Sequence, residues 1–164
     1  MRWALSSKIT IVIADDHPLF RKGLRQVIEA EAELEILGEA GDGQCALTLI
    51  RAHKPQIAII DIAMPTLDGF DLVRAVRKDN LPAAIIFLTM YRDEGILKEA
   101  LDLDVRRYVV KDSAITDIVS SINAVASGQH FTSPTLTTYL IKNARRTAVD
   151  SAKSNGRRPR QKFR

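Results

Sequence analysis

Gln56-Ile57-Ala58-Ile59-Ile60 runs straight into Asp61-Ile62-Ala63-Met64-Pro65-Thr66-Leu67-Asp68-Gly69, and the reading of this junction decides the fold. Residues 56–60 are nearly all apolar and rich in β-branched side chains. Such a run reads as a short strand buried on both faces, the pattern of a parallel sheet's interior. Residues 61–69 carry a proline, a glycine and two carboxylates and read as a loop. Phe70, Leu72, Val73 and Val76 then recur at helical spacing, so a helix follows the loop.

The same alternation extends in both directions. Upstream, residues 9–14 form a second buried strand. A helix opens at Pro18, whose missing N–H suits a first turn, and presents Leu19, Phe20, Leu24, Val27 and Ile28 at helical spacing. Residues 34–38 are a strand, and 43–53 a helix with Ala46, Leu47, Leu49 and Ile50 inward. Downstream, residues 84–89 and 105–110 are strands, 93–101 a helix, and 114–126 a helix with Ile115, Ile118, Val119, Ile122 and Val125 on one face. Gly128 closes that last helix. Strand and helix alternate five times, which predicts an α/β fold: a five-stranded parallel sheet covered on both faces, doubly wound by right-handed crossovers.

The chain has 164 residues, 46% hydrophobic and 27% charged, as expected of one globular domain with a short appendage. The net charge of +4 is unevenly placed: residues 143–164 carry eight Lys or Arg and one Asp, leaving −3 on residues 1–142. Ser133-Pro134-Thr135 signals a further helix or linker over 131–150. Residues 151–164 are basic and nearly free of apolar side chains, so a disordered tail is expected there. Residues 1–7 form an N-terminal extension with no apolar run of signal-peptide length, and no stretch approaches a membrane span. The lone Cys45, expected as a small buried residue, fits a reducing compartment. A cytoplasmic protein with no membrane association is expected.

In a doubly wound sheet, ligands bind beyond the carboxyl ends of the strands. Asp15 and Asp16 follow the first strand, Asp61 the third, Thr89 ends the fourth and Lys111 follows the fifth. Each alone has a plainer reading as a cap, loop opener or solvated group; their gathering on one edge from four segments points to a site. Three neighbouring acids repel, and one has its pKa raised unless a cation intervenes. Mg²⁺ suits carboxylates, waters and a phosphate. With that charge offset, Asp61 can act as a carboxylate nucleophile, Thr89 can donate to a phosphoryl oxygen and Lys111 can balance its charge.

Four segments carry a specific resemblance: Ala14-Asp15-Asp16-His17-Pro18-Leu19-Phe20-Arg21, Asp61 through Gly69 (Asp-x-x-Met-Pro-x-x-Asp-Gly), Phe87-Leu88-Thr89, and Tyr108-Val109-Val110-Lys111-Asp112. Over residues 8–130 the sequence resembles the receiver domain of bacterial two-component response regulators, of the subfamily that usually carries a C-terminal LuxR-type helix-turn-helix. The resemblance implies a flavodoxin-like (βα)5 fold. It implies a phosphorelay function, with Asp61 the phosphoacceptor and a sensor histidine kinase the donor. Asp16, Asp61 and the main-chain carbonyl of Ala63 would bind Mg²⁺, with Asp15 helping through a water. Thr89 and Lys111 would grip the phosphoryl group, and Thr89 and Tyr108 would form the switch. It implies a signalling domain rather than a turnover enzyme, with self-association among the outputs.

There are departures. Asp104 and Arg107 stand where that subfamily often has glycine, so the entry to the fifth strand is expected to be altered. After Phe131 only 33 residues remain, where a helix-turn-helix needs about 60. No DNA-reading domain is expected within them, and the chain reads as a stand-alone or shortened receiver. DNA binding through the basic tail, and a degenerate receiver acting only as an interaction module, are the competing functions. Gly38-Glu39-Ala40-Gly41-Asp42-Gly43 lacks the order of a nucleotide loop and reads as a turn. Ala63 denies an aspartate-dependent phosphatase its second acid, and His17, His53 and His130 lack metal-ligand spacing.

Overall fold

The computed structural model describes residues 7–90, 93–129, 145, 146 and 149. Two units divide at residue 130. The first is built from β1 (Ile9–Ala14), α1 (Pro18–Glu29), β2 (Leu34–Ala40), α2 (Gly43–His53), β3 (Ile57–Asp61), α3 (Gly69–Lys78), β4 (Ala84–Thr89), α4 (Glu94–Asp102), β5 (Arg107–Val110) and α5 (Lys111–Ala126). All strand pairs are parallel, in the order β2-β1-β3-β4-β5. Of the second unit, Arg145, Arg146 and Val149 are helical and exposed; the helix or linker over 131–150 otherwise lies outside the described residues, as does the tail over 151–164.

Alternation along each strand divides the core into two layers. Val12, Ala14, Ala58, Ile60, Ile85 and Phe87 point to the side covered by α2, α3 and α4. Ile11, Ile13, Ile57, Ile59, Ile86 and Leu88 point to the side covered by α1 and α5. The central strands are apolar on both faces because both faces are covered. Phe70 of α3 meets Phe87 edge to face, with ring centroids 5.2 Å apart.

The helix starts follow local chemistry. The carboxylates of Asp42, Asp68 and Asp93 accept backbone N–H groups of Cys45, Asp71 and Gly95 at 2.8, 2.8 and 2.7 Å, capping α2, α3 and α4. Gly128 ends the chain of helical residues after α5 with φ +82°.

Several expectations need correction. Cys45 is exposed, because α2 buries Gly43, Ala46, Leu47 and Ile50 and turns Cys45 outward. Leu19 is 87% exposed and Ile115 40% exposed; helical spacing placed both on inner faces that are instead made by Phe20, Leu24 and Ile28 in α1 and by Ala114, Ile118 and Ile122 in α5. β5 starts at Arg107 rather than 105, and α5 starts at Lys111 rather than 114. β3 includes Asp61, which ends the strand instead of opening the loop. At the entry to β5, Asp104 does take the glycine-like conformation, φ 55°, while Arg107 is absent from the described positive-φ residues and is ordinary strand. Arg77 ties this region down by donating to the carbonyls of Ala83 at 3.1 Å and Asp104 at 3.2 Å.

Candidate functional site

The sheet order reverses between β1 and β3, the switch point beyond whose carboxyl ends sheets of this kind bind their ligands. Asp15 leaves β1 with its N–H bonded to Ala40 of β2 (3.0 Å). Arg21 of α1 donates to the Asp15 carbonyl (2.6 Å), so this turn is held from two sides. The loop after β3 is anchored by Ile62 N–H on Leu88 (3.1 Å) and by Gly69 N–H on Ile62 (2.7 Å). Gly69 is required there: a Cβ would lie 2.7 Å from Ile62 Cα and 2.8 Å from the Asp61 carbonyl oxygen. Gly43 similarly lets α2 approach the loop, where a Cβ would meet the Leu67 carbonyl oxygen. Thr66 holds a left-handed φ of 67° in this loop and accepts from Gln44 N–H (3.0 Å).

Asp15, Asp61 and Lys111 are buried, with side chains 0%, 4% and 6% exposed. Lys111, the first residue of α5, donates from Nζ to Asp61 Oδ2 at 2.8 Å. Its Nζ also lies 2.9 Å from Asp15 Oδ2, an ion pair off the hydrogen-bonding direction, since that oxygen has no hydrogen-bond partner. Phe20 of α1 covers the ammonium, 4.8 Å from the ring centroid. Ala63 N–H donates to Asp61 Oδ1 at 3.2 Å. Asp16 is 30% exposed beside the cluster.

Burial pushes the Asp61 carboxyl above the usual carboxylate range, and the Asp15 charge adds to it, against the opposing pull of Lys111. For Lys111, burial works against the charged form, but the close contacts and charges of Asp15 and Asp61 outweigh it and hold its pKa up. The expectation that crowded acids would raise one pKa is met at Asp61, with desolvation the larger cause.

Of the residues singled out in the sequence, Asp15, Asp16, Asp61 and Lys111 come together directly. Thr89 is buried at the end of β4, paired in register with Val110 one residue before Lys111. Tyr108 is half-buried on β5 and packs against the core layer under α2, α3 and α4. His53 is exposed at the end of α2, and His130 lies outside the described residues. His17 is the residue missed. Its Nδ1 lies 3.0 Å from Asp16 Oδ1, 3.3 Å from Asp15 Oδ1, 3.7 Å from Asp61 Oδ2 and 3.0 Å from Lys111 Nζ. Adjacency to the aspartate pair at a strand end was the available signal; metal-ligand spacing among histidines was the wrong test.

Asp15, Asp16, His17 and Asp61 each offer a ligand atom within 4.8 Å of the others. Buried oxygens of Asp15 and Asp16 lack hydrogen bonds. A set rich in hard oxygen donors, some unsatisfied, fits a divalent cation such as Mg²⁺.

The fold and this acidic pocket are those of an α/β signalling domain, and comparison with known proteins agrees. The response regulator receiver domain model matches residues 11–123. The chain belongs to that family and carries the receiver domain of a two-component response regulator. It is 34% identical over 145 residues to the probable transcriptional regulatory protein NarL of Mycobacterium tuberculosis, covering 88% of this chain and 67% of NarL. It is 30% identical to the transcriptional regulatory protein DegU of Brevibacillus brevis, covering 85% of this chain and 59% of DegU. The solved signal receiver domain of the M. tuberculosis NarL superposes with a TM-score of 0.72 at 36% identity, over 75% of this chain and 99% of that one. The chain thus spans about three-fifths to two-thirds of the length of these curated relatives. Among the described residues, no helix is long and apolar enough to cross a membrane.

Proposed function

We propose that Asp61 accepts a phosphoryl group from a phosphohistidine on a sensor histidine kinase and that the modified domain switches state to control an output. The observation that carries this is the placement of Asp61: a nearly buried carboxylate at a strand end, bonded by a buried ammonium and flanked by Asp15 and Asp16. An Asp61 oxygen attacks phosphorus in line with the N–P bond. The O–P bond forms, the N–P bond breaks, and its electron pair stays on the donor imidazole nitrogen, which then takes a proton. Asp15, Asp16, Asp61 and the Ala63 carbonyl are the residues that would hold Mg²⁺, which supplies charge neutralisation of the phosphoryl oxygens. Lys111 keeps its proton, offsets the phosphoryl charge and orients Asp61. Thr89 donates its hydroxyl to the phosphoryl group.

The switch follows from the same contacts. Once Asp61 carries the phosphoryl group as an acyl phosphate, its bond to Lys111 has a new competitor in the phosphoryl oxygens, and movement of Thr89 toward them frees space for Tyr108. Residues 8–130 act as the receiver, 131–150 as a helix or linker and 151–164 as a basic tail. The family role is that of a cytoplasmic phosphoprotein, acting in transcription control as its relatives NarL and DegU are named to do, with self-association as an output step. Incubation with acetyl phosphate should add one phosphoryl mass in the presence of Mg²⁺, and none after chelation or in Asp61→Asn. An unmodified, folded wild type would instead favour an interaction module with no phosphoryl chemistry.

The charge of residues 143–164 supports a second reading, in which the tail contacts nucleic acid through phosphates. A mobility shift that weakens steeply with salt and disappears on removal of residues 143–164 is its expected signature; no shift at low salt rejects it.

A further inference from the structure

His17 Nδ1 stands among every charged group of the pocket, yet the phosphoryl-transfer scheme assigns it nothing. Its position is fixed by the backbone. Pro18 restricts the preceding residue to extended conformations, and His17 has φ −99° and ψ 102°. Its own N–H is spent on Asp15 Oδ1 at 2.7 Å. The ring is therefore held over the carboxylates although the side chain as a whole is 59% exposed.

We infer that His17 Nδ1 is a further protein ligand of the divalent cation in this pocket, and that it tilts the site toward later first-row ions such as Ni²⁺ over Mg²⁺. This rests on the cation site proposed above. An octahedral ion with bonds of about 2.1 Å has neighbouring ligands about 3 Å apart. The separations of 3.0, 3.3 and 3.7 Å from Nδ1 to Asp16, Asp15 and Asp61 oxygens approach that edge length. A cation already sits in the group: Lys111 Nζ is within 3.0 Å of Asp61 Oδ2, Asp15 Oδ2 and His17 Nδ1.

Lys111 only donates, so its contact uses the Nδ1 lone pair, while the 3.0 Å approach of Nδ1 to Asp16 Oδ1 is not a hydrogen bond and leaves two electron-rich atoms side by side. An ion would let the lone pair and the Asp16 and Asp61 carboxylates act as donors to one centre, with Asp15 reaching it through a water. Oδ2 of the wholly buried Asp15 carboxylate faces the Lys111 ammonium at 2.9 Å yet accepts no hydrogen bond, which leaves it open to a further cation. Oxygen-only sites suit Mg²⁺, whereas an imidazole donor favours later divalent ions in the order of their intrinsic affinity.

Pulsed electron paramagnetic resonance of Mn²⁺ bound to the full chain tests this. Nitrogen modulation should be present in the wild type, should change with isotope-labelled histidine, and should vanish in His17→Ala at equal Mn²⁺ occupancy. Calorimetry should show His17→Ala weakening Ni²⁺ by about tenfold and Mg²⁺ by much less. Bound Mn²⁺ without nitrogen coupling would overturn the ligand while leaving the carboxylate site intact. Tighter Mn²⁺ binding by His17→Ala would show the ring to be a plug and overturn it too. If none of Mn²⁺, Ni²⁺ and Mg²⁺ binds the folded wild type, this inference and the cation reading fall together.

Discussion

Asp61 and Lys111 both make the metal-free fold less stable as pH rises, in two different windows. Asp61 titrates above the usual carboxylate range, chiefly through burial and then the Asp15 charge. Between the ordinary value and the raised one, the folded chain holds a proton that the unfolded chain has released, so stability falls as pH rises through that window. Asp61→Asn should remove this fall. Near neutrality it should raise the metal-free melting temperature by about 2–4 °C, the equivalent of roughly 1 kcal/mol in a chain this size. A thermal melt across pH checks it, and an unchanged pH profile would contradict it. Lys111 titrates above its ordinary value, so its contribution is present at neutral pH and is lost only as pH rises through the alkaline range. Lys111→Met keeps an apolar stem under Phe20 but leaves two buried carboxylates without a cation. Denaturant unfolding should show a loss of about 3 kcal/mol, partly recovered by a divalent ion.

At the scale of elements, the loop from β3 to α3 depends on the absence of a side chain at Gly69. Gly69→Ala forces a Cβ into the Ile62 backbone and the Asp61 carbonyl, and should lower stability by about 1–3 kcal/mol while displacing the acceptor. The α4–β5 turn gives the opposite case. Asp104 sits at φ 55°, so Asp104→Gly should stabilise by roughly 0.5–1 kcal/mol in denaturant titration. The positions of these elements were legible because each central strand is a short apolar run and each helix has one apolar stripe. Asp15, Asp16, Asp61, Thr89 and Lys111 were legible as strand-end residues for the same reason. Element edges were less so. Lys111, Asp112 and Ser113 look polar enough for a loop, yet they form the first turn of α5 because Lys111 is drawn into the acidic pocket. Leu19 and Ile115 matched helical spacing but stand on outward faces, since periodicity gives a stripe without saying where the sheet ends. His17 was illegible as a pocket residue: its placement depends on a turn geometry that spacing alone does not encode.

For the whole molecule, the pocket joins segments far apart in sequence, from Asp15 to Lys111, so occupying it should stabilise the entire receiver. Mg²⁺ at about a hundredfold excess over its Kd should add about 2.7 kcal/mol, or roughly 5–10 °C in melting temperature, and Asp16→Asn should lose most of that gain. Equal shifts in both proteins would place the ion elsewhere. The central claim is that Asp61, and no other residue, takes the phosphoryl group. Borohydride trapping after treatment with acetyl phosphate and Mg²⁺ tests it most directly, because reduction of an aspartyl phosphate leaves homoserine at the modified position. Peptide mass mapping should find homoserine at residue 61 alone; homoserine at Asp15 or Asp16, or none in a folded protein, would contradict the account.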